Sequence, residues 1–192
     1  MPQSRPIRAE DLVAKVSEVE VLLHSLQELT TEQATPSSSS SSARAAKDST
    51  VSDGRKSARL LVQSYWALLA SAEGGALGEA DVRHRIARCL GGLRSVRAAL
   101  PLKAFQLEAI WLETGSLMER HRDWRLAWEL TFGLVRHLAL GPAAEGDTSP
   151  RSNSAAHSLL AHASLRASTV AASADAASRP TADELAELCC QL

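Results

Sequence analysis

Three cysteines and six histidines are the side chains of this 192-residue sequence best suited to nucleophilic, redox or metal chemistry. The histidines (His24, His84, His121, His137, His157 and His162) are scattered. No two stand at the i, i+4 spacing that sets a pair of imidazoles on one helical face around a metal. No Cys-x-x-Cys occurs. Cys89 lies on an apolar stripe, with no histidine placed by spacing to take its proton, so it reads as a buried structural thiol. Gly74-Gly75 and Gly91-Gly92 lack the Lys-Ser/Thr pair and the strand context of a phosphate-cradling loop. The expectation is a non-enzyme, with no catalytic residues, no cofactor and no metal.

The arginines offer binding rather than catalysis. Arg83, Arg94 and Arg97 group on one flank of a helical apolar seam, with Arg85 and Arg88 on the other. One reading is a phosphate- or RNA-binding face. The other is a solvated surface whose arginine stems cover the edges of the stripe. Glu79, Asp81, Glu113, Glu119, Asp123 and Glu129 interleave with the basic residues, which favours the second. The formal net charge of −1 likewise excludes a globally basic nucleic-acid coat.

At the C-terminal end, Cys189-Cys190-Gln191-Leu192 has the form of a prenylation box. Gln191 is a poor match, however, and acidic residues precede the box where basic ones would help a single lipid to hold a membrane. The same segment also reads as a short amphipathic helix, because Thr181-Ala182-Asp183-Glu184 forms a capping box ahead of Leu185 and Leu188. The helix is the favoured reading; lipidation at Cys189 is kept as an alternative.

The elements that carry these residues are helical. All aromatic residues fall between Tyr65 and Phe132, which places the core, since large rings supply much of a small core's buried area. In that window Leu61, Tyr65, Leu68 and Ala72 share one stripe, and Val82, Ile86, Cys89, Leu93, Val96 and Leu100 form a 4-3-4-3-4 seam. Pro101 ends that helix, Asp123 is a good N-cap for the last, and Gly141-Pro142 supplies its stop. No segment alternates with period two. The expected fold is all-α: two helical hairpins over 57–141, as a short array or a four-helix bundle. Trp66, Trp111, Gly115, Trp124, Ala127 and Trp128 are its expected core.

Around that domain the composition shifts. Residues 30–56, with the Ser37 to Ser42 run, and residues 142–180, rich in Ala and Ser, read as disordered linker and tail, because they bury too little apolar surface to offset ordering; a weak helix around Ser154 to Arg166, from the periodicity of Leu159, Leu160 and Leu165, is the alternative within the tail. A short helix follows over 181–192. Residues 1–29 hold an amphipathic helix with Leu12, Val16, Val19, Leu23 and Leu26 at 4-3-4-3 spacing, under three heptads. Alone it is marginal, so it docks either on its own bundle or on a partner. No apolar run approaches the ~20 residues that span a bilayer, and the first ten residues lack a signal-peptide core. An intracellular, cytoplasmic setting without membrane insertion is the expectation.

The third and fourth helices resemble a tetratricopeptide repeat. Trp111, Gly115 and Ala127 fall at its spacing, Met118 takes a large apolar position, and Asp123-Trp124 matches the acidic-aromatic pair at the turn. Thr114 and Thr131 depart from the pattern, and Pro142 comes late. The match covers 105–139; residues 60–100 give a poorer copy, and Trp66 stands further from Trp111 than the roughly 34 residues of the repeat. The resemblance implies a module that binds other proteins. The expected function is therefore a helical subunit or adaptor whose Leu12 to Leu26 stripe and one bundle face engage protein partners, with homo-oligomerisation a further option. An RNA-associated helical subunit is the alternative.

Overall fold

The computed structural model describes residues 9–34, 43–73, 77, 79–102, 105–140, 150–175 and 177–191. The Ser37 to Ser42 run, Gly74-Gly75, Gly141-Pro142 and Leu192 lie outside the described residues. Every regular element among those described is helical, as expected: α1 (Ala9–Ala34), α2 (Ala43–Glu73), α3 (Ala80–Ser95), α4 (Gln106–Arg120), α5 (Trp124–Leu140), α6 (Pro150–Ser173) and α7 (Ala182–Gln191), with a 3₁₀ turn at Arg97–Ala99. No helix among the described residues is long and apolar enough to cross a membrane.

The chain divides into two units at Leu102, inside the single domain expected over 57–141. The reason lies in the partners each helix finds. In the first unit α1 packs against both α2 and α3; in the second, α5 packs against α4, α6 and α7.

The first unit is built on three apolar stripes. Leu61, Tyr65, Leu68 and Ala72 of α2 are fully buried, and so is the expected seam of α3 from Val82 to Leu93, with Val96 and Leu100 beyond it. The Tyr65 hydroxyl finishes inside this core by donating to the carbonyl of Ile86 at 3.3 Å, which meets the requirement that a buried phenol find a partner. Helix α3 runs unbroken through Gly91 and Gly92, although each glycine costs about 1 kcal/mol relative to Ala in a helix interior. Gly92 has a packing reason: a Cβ there would lie 3.0 Å from Leu23 Cδ1, so its absence lets α1 come close.

The expected linker over 30–56 is helical in its described parts, since α1 extends to Ala34 and α2 starts at Ala43. Composition misleads here. Ala, Arg and Lys at 43–47 are strong helix formers, and a helix already nucleated by the buried stripe of α2 extends through them at little cost.

In the second unit, Leu107, Ile110, Trp111, Leu117 and Met118 of α4 meet Ala127, Trp128, Leu134 and Val135 of α5. Gly115 sits at the crossing: a Cβ there would fall 2.8 Å from Thr131 Cγ2, so only glycine admits this approach. Asp123 caps α5 as expected, its Oδ1 accepting from the Leu126 N–H at 3.4 Å. The expected disordered tail over 142–180 is corrected at α6. Ala163, Ala167, Val170 and Ala174, spaced 4-3-4, are all buried. This is a small-residue stripe, which packs tightly onto α5 and α4 while adding little to hydropathy, so a search for large apolar residues passes over it.

The capping box forms as its sequence predicts. Thr181 Oγ1 accepts from the Glu184 N–H at 3.2 Å, and Glu184 Oε2 accepts from the Thr181 N–H at 2.8 Å.

Candidate partner-binding surface

The residues expected to recruit a partner from the N-terminal helix are spent inside the first unit. Leu12, Val16 and Val19 have no exposed surface, and Leu23 and Leu26 are all but buried. The correction follows from docking: α1 turns its whole apolar stripe onto α2 and α3. Polar contacts along the stripe lock the register. Lys15 Nζ donates to Ser71 Oγ at 2.6 Å, Ser64 Oγ to Glu18 Oε1 at 2.9 Å, and Gln27 Nε2 to Ser95 Oγ at 3.2 Å. Arg85 closes the α3 side with its fork, Nη2 and Nε reaching the two oxygens of Glu20 at 2.6 and 3.1 Å, and Nη2 also reaching Ser17 Oγ at 2.8 Å. That hydrogen-bonded guanidinium is the main reason the Glu20 carboxyl titrates below its ordinary range, and the carboxylate raises Arg85 in return.

What the first unit turns outward instead is Trp66. Expected in the core, it is 42% exposed. Its position explains this: one residue beyond Tyr65, it is rotated by about 100° from the stripe of Leu61, Tyr65, Leu68 and Ala72. The sequence carried the signal, because Trp66 does not belong to that stripe. From Trp66 round to Leu60, itself 48% exposed, the outer face of α2 presents Arg59, Ala70, Gln63, Lys56 and Ala67, all exposed. Two large apolar side chains thus flank a strip made low by two alanines, with Arg55, Lys56 and Arg59 toward the N-terminal end. A helix or strand from another protein can lie close on such a strip, while the tryptophan and leucine grip its edges.

Of the remaining expected core residues, all but Trp124 lie in the core. Trp111, Gly115, Ala127 and Trp128 are buried, and Trp124, at the start of α5, is half-buried.

Of the arginine trio considered for nucleic acid, Arg83 is engaged with the chain's own backbone, and the other two are exposed. Arg83 donates through Nη1 to the Leu77 carbonyl at 2.7 Å, holding the segment ahead of α3. Arg94 lies in the last turn of α3 and Arg97 opens the 3₁₀ turn, both exposed. Arg85, on the other flank, is the Glu20 clamp.

Chemistry is sparse. Cys89 is buried, and burial pushes its thiol up to about 12, so it stays protonated and unreactive at neutral pH. Cys189 and Cys190 are exposed on α7, and the lipidation reading for Cys189 depends on Leu192, outside the described residues. No group of three or more His, Cys, Asp or Glu among the described residues can hold a metal. One acid–imidazole pair escaped the sequence reading. Glu108, 2% exposed on α4, lies 3.3 Å from His137 Nε2 on α5, and the Trp111 ring lies 5.5 Å from the imidazole. No spacing rule links positions on two different helices, so only the packed α4–α5 pair reveals it. The imidazole meets a carboxylate and an indole rather than a nucleophile, so the pair ties two helices together. Comparison with protein-family models, with curated proteins and with solved structures finds no match to this chain.

Proposed function

We propose that this chain is a non-enzymatic helical protein–protein interaction module, a subunit or adaptor of a larger assembly, and that the outer face of α2 around Trp66 is its contact surface. The observation that carries the reading is the outward placement of Trp66 beside Leu60. Tryptophan is costly to leave in water and is enriched at the centres of protein interfaces, where it dominates binding energy. The low Ala67–Ala70 strip gives a partner backbone room to approach. The basic N-terminal end of the face suits a partner segment that carries acidic residues there. The close α4–α5 crossing at Gly115 supports the likeness of that hairpin to a single tetratricopeptide unit, a type of element that serves protein binding.

Affinity purification with quantitative mass spectrometry, comparing the full chain with Trp66→Ser, tests the proposal. Truncating a tryptophan at the centre of an interface costs about 2 kcal/mol or more, so co-purifying partners fall by roughly thirtyfold. Stability changes far less, by about 1 kcal/mol, because the ring is half in solvent already. Partner recovery equal to that of the unsubstituted chain at equal expression would refute the assignment.

A further inference from the structure

We infer that the occupant of the outer α2 face is a second copy of this chain, paired antiparallel about a two-fold axis beside Trp66. This rests on the reading of that face as the contact surface and names the partner that meets it there.

The exposed side of α2 is periodic in its own right. Lys56, Arg59, Gln63, Trp66, Ala70 and Glu73 recur at 3-4-3-4-3 spacing and are all exposed, with Leu60 and Ala67 exposed along one flank. This is the repeat by which one helix lies along another, over roughly two and a half heptads. That length is short for helices that must form and pair together. It suffices for two helices already held in folded units, because the cost of ordering them has been met before they pair.

An interface between identical copies uses the same patch twice, so the patch must complement itself. The α2 stripe does so along its length. Its cationic and large residues, Lys56, Arg59 and Leu60, lie toward the N-terminal half, and its small and acidic ones, Ala67, Ala70 and Glu73, toward the C-terminal half. A parallel pair would set Arg59 against Arg59 and leave the alanines facing each other across a gap. An antiparallel pair centred between Gln63 and Trp66 brings unlike halves together. Leu60 then lies against the second copy's Ala67, Arg59 crosses its Ala70, and Lys56 and Arg59 both come within a turn of its Glu73. The two Trp66 rings meet beside the axis, at the centre of the contact, where an indole adds most to binding. Gln63 of each copy stands next to them, with an amide oxygen to accept from an indole N–H. The complement that the face requires is thus the sequence of α2 itself, read in reverse.

Sedimentation equilibrium of the full chain tests the inference, under reductant so that the exposed Cys189 and Cys190 form no disulfide. The unsubstituted chain is expected to pass from monomer to dimer as its concentration rises through the micromolar range. Two-fold symmetry counts each substitution twice. Trp66→Ser is expected to weaken the dimer by about thirtyfold or more. Reversing the basic end with Lys56→Glu and Arg59→Glu, or the acidic end with Glu73→Arg, is expected to weaken it by about tenfold. All three reversals in one chain restore opposite charges only in antiparallel order, and return the dissociation constant to within about threefold of the original. Circular dichroism confirms that every variant keeps its helix content. A chain that stays monomeric at its highest soluble concentration would overturn the inference. So would a dimer indifferent to Trp66→Ser, or a triply reversed chain that pairs no more tightly than the partly reversed ones. The partner-recovery experiment keeps the two readings apart. If the chain stayed monomeric while Trp66→Ser still lost its co-purifying proteins, the contact face would stand and only its occupant would be wrong.

Discussion

Val16→Asp is expected to unfold the first unit, whereas Val21→Asp, five residues along the same helix, leaves it intact. Val16 has no exposed surface, and Val21 is 65% exposed. Burying a valine contributes about 1.5–3 kcal/mol, all lost in the variant. The carboxylate must then ionise within an apolar core, take up a proton, or force α1 away from α2 and α3. Each route is costly, and an uncompensated buried charge alone costs about 3–5 kcal/mol. The total approaches the whole of a domain's typical stability, about 5–15 kcal/mol. At Val21 the new charge is solvated, and the expected change stays within about 0.5 kcal/mol. Urea denaturation followed by circular dichroism separates the two: Val16→Asp removes the transition of this unit from the curve, and Val21→Asp leaves its midpoint in place. Similar midpoints for both variants would mean that the α1 stripe is not core.

The second large effect is in the other unit. Trp128→Ala is expected to destabilise it by about 3–5 kcal/mol, the usual cost of deleting a fully buried ring. The indole has no exposed surface, stacks on Phe132, and lies beside the docked α7. Its removal takes away the stacking partner of Phe132 and leaves a cavity that rigid helices fill poorly. Trp66→Ser gives the contrast within one residue type. If Trp128→Ala and Trp66→Ser shifted the denaturation curve equally, the burial difference between the two tryptophans would be wrong.

That contrast shows what the sequence could and could not convey. Helical periodicity placed the stripes of α1, α2 and α3 correctly, because an apolar side chain every three or four residues leaves a mark in one dimension. Tyr65 and Trp66 fell on opposite sides of that rule: the stripe included one and excluded the other, and assigning both to the core followed aromatic content instead of position. Periodicity also identifies a face without saying what covers it. The Leu12 to Leu26 stripe suited a partner as well as its own bundle, and only the packing on α2 and α3 decided between them.

Other features left weaker traces. The α6 helix is held by Ala163, Ala167, Val170 and Ala174, small residues whose value lies in close approach, so a composition rule took them for tail. The boundary at Leu102 falls where α3 and α4 find different neighbours, a tertiary fact with no local signature beyond Pro101. The Arg85–Glu20 clamp and the Glu108–His137 tie each join residues on two different helices, a pairing that no spacing rule within one helix reveals. The capping box at Thr181 and the N-cap at Asp123 were legible because both are local hydrogen-bond patterns fixed within four residues.

Hydrogen exchange of the intact chain, read by mass spectrometry peptide by peptide, tests most directly whether α1 is part of a folded unit or an arm held out for a partner. Amides of residues 12–26 are expected to exchange as slowly as those of α3 and to lose protection together with them when urea is raised. Exchange of residues 12–26 within seconds, while α3 stayed protected, would contradict the burial of Leu12, Val16 and Val19 and return the N-terminal helix to the role of a free recruiting arm.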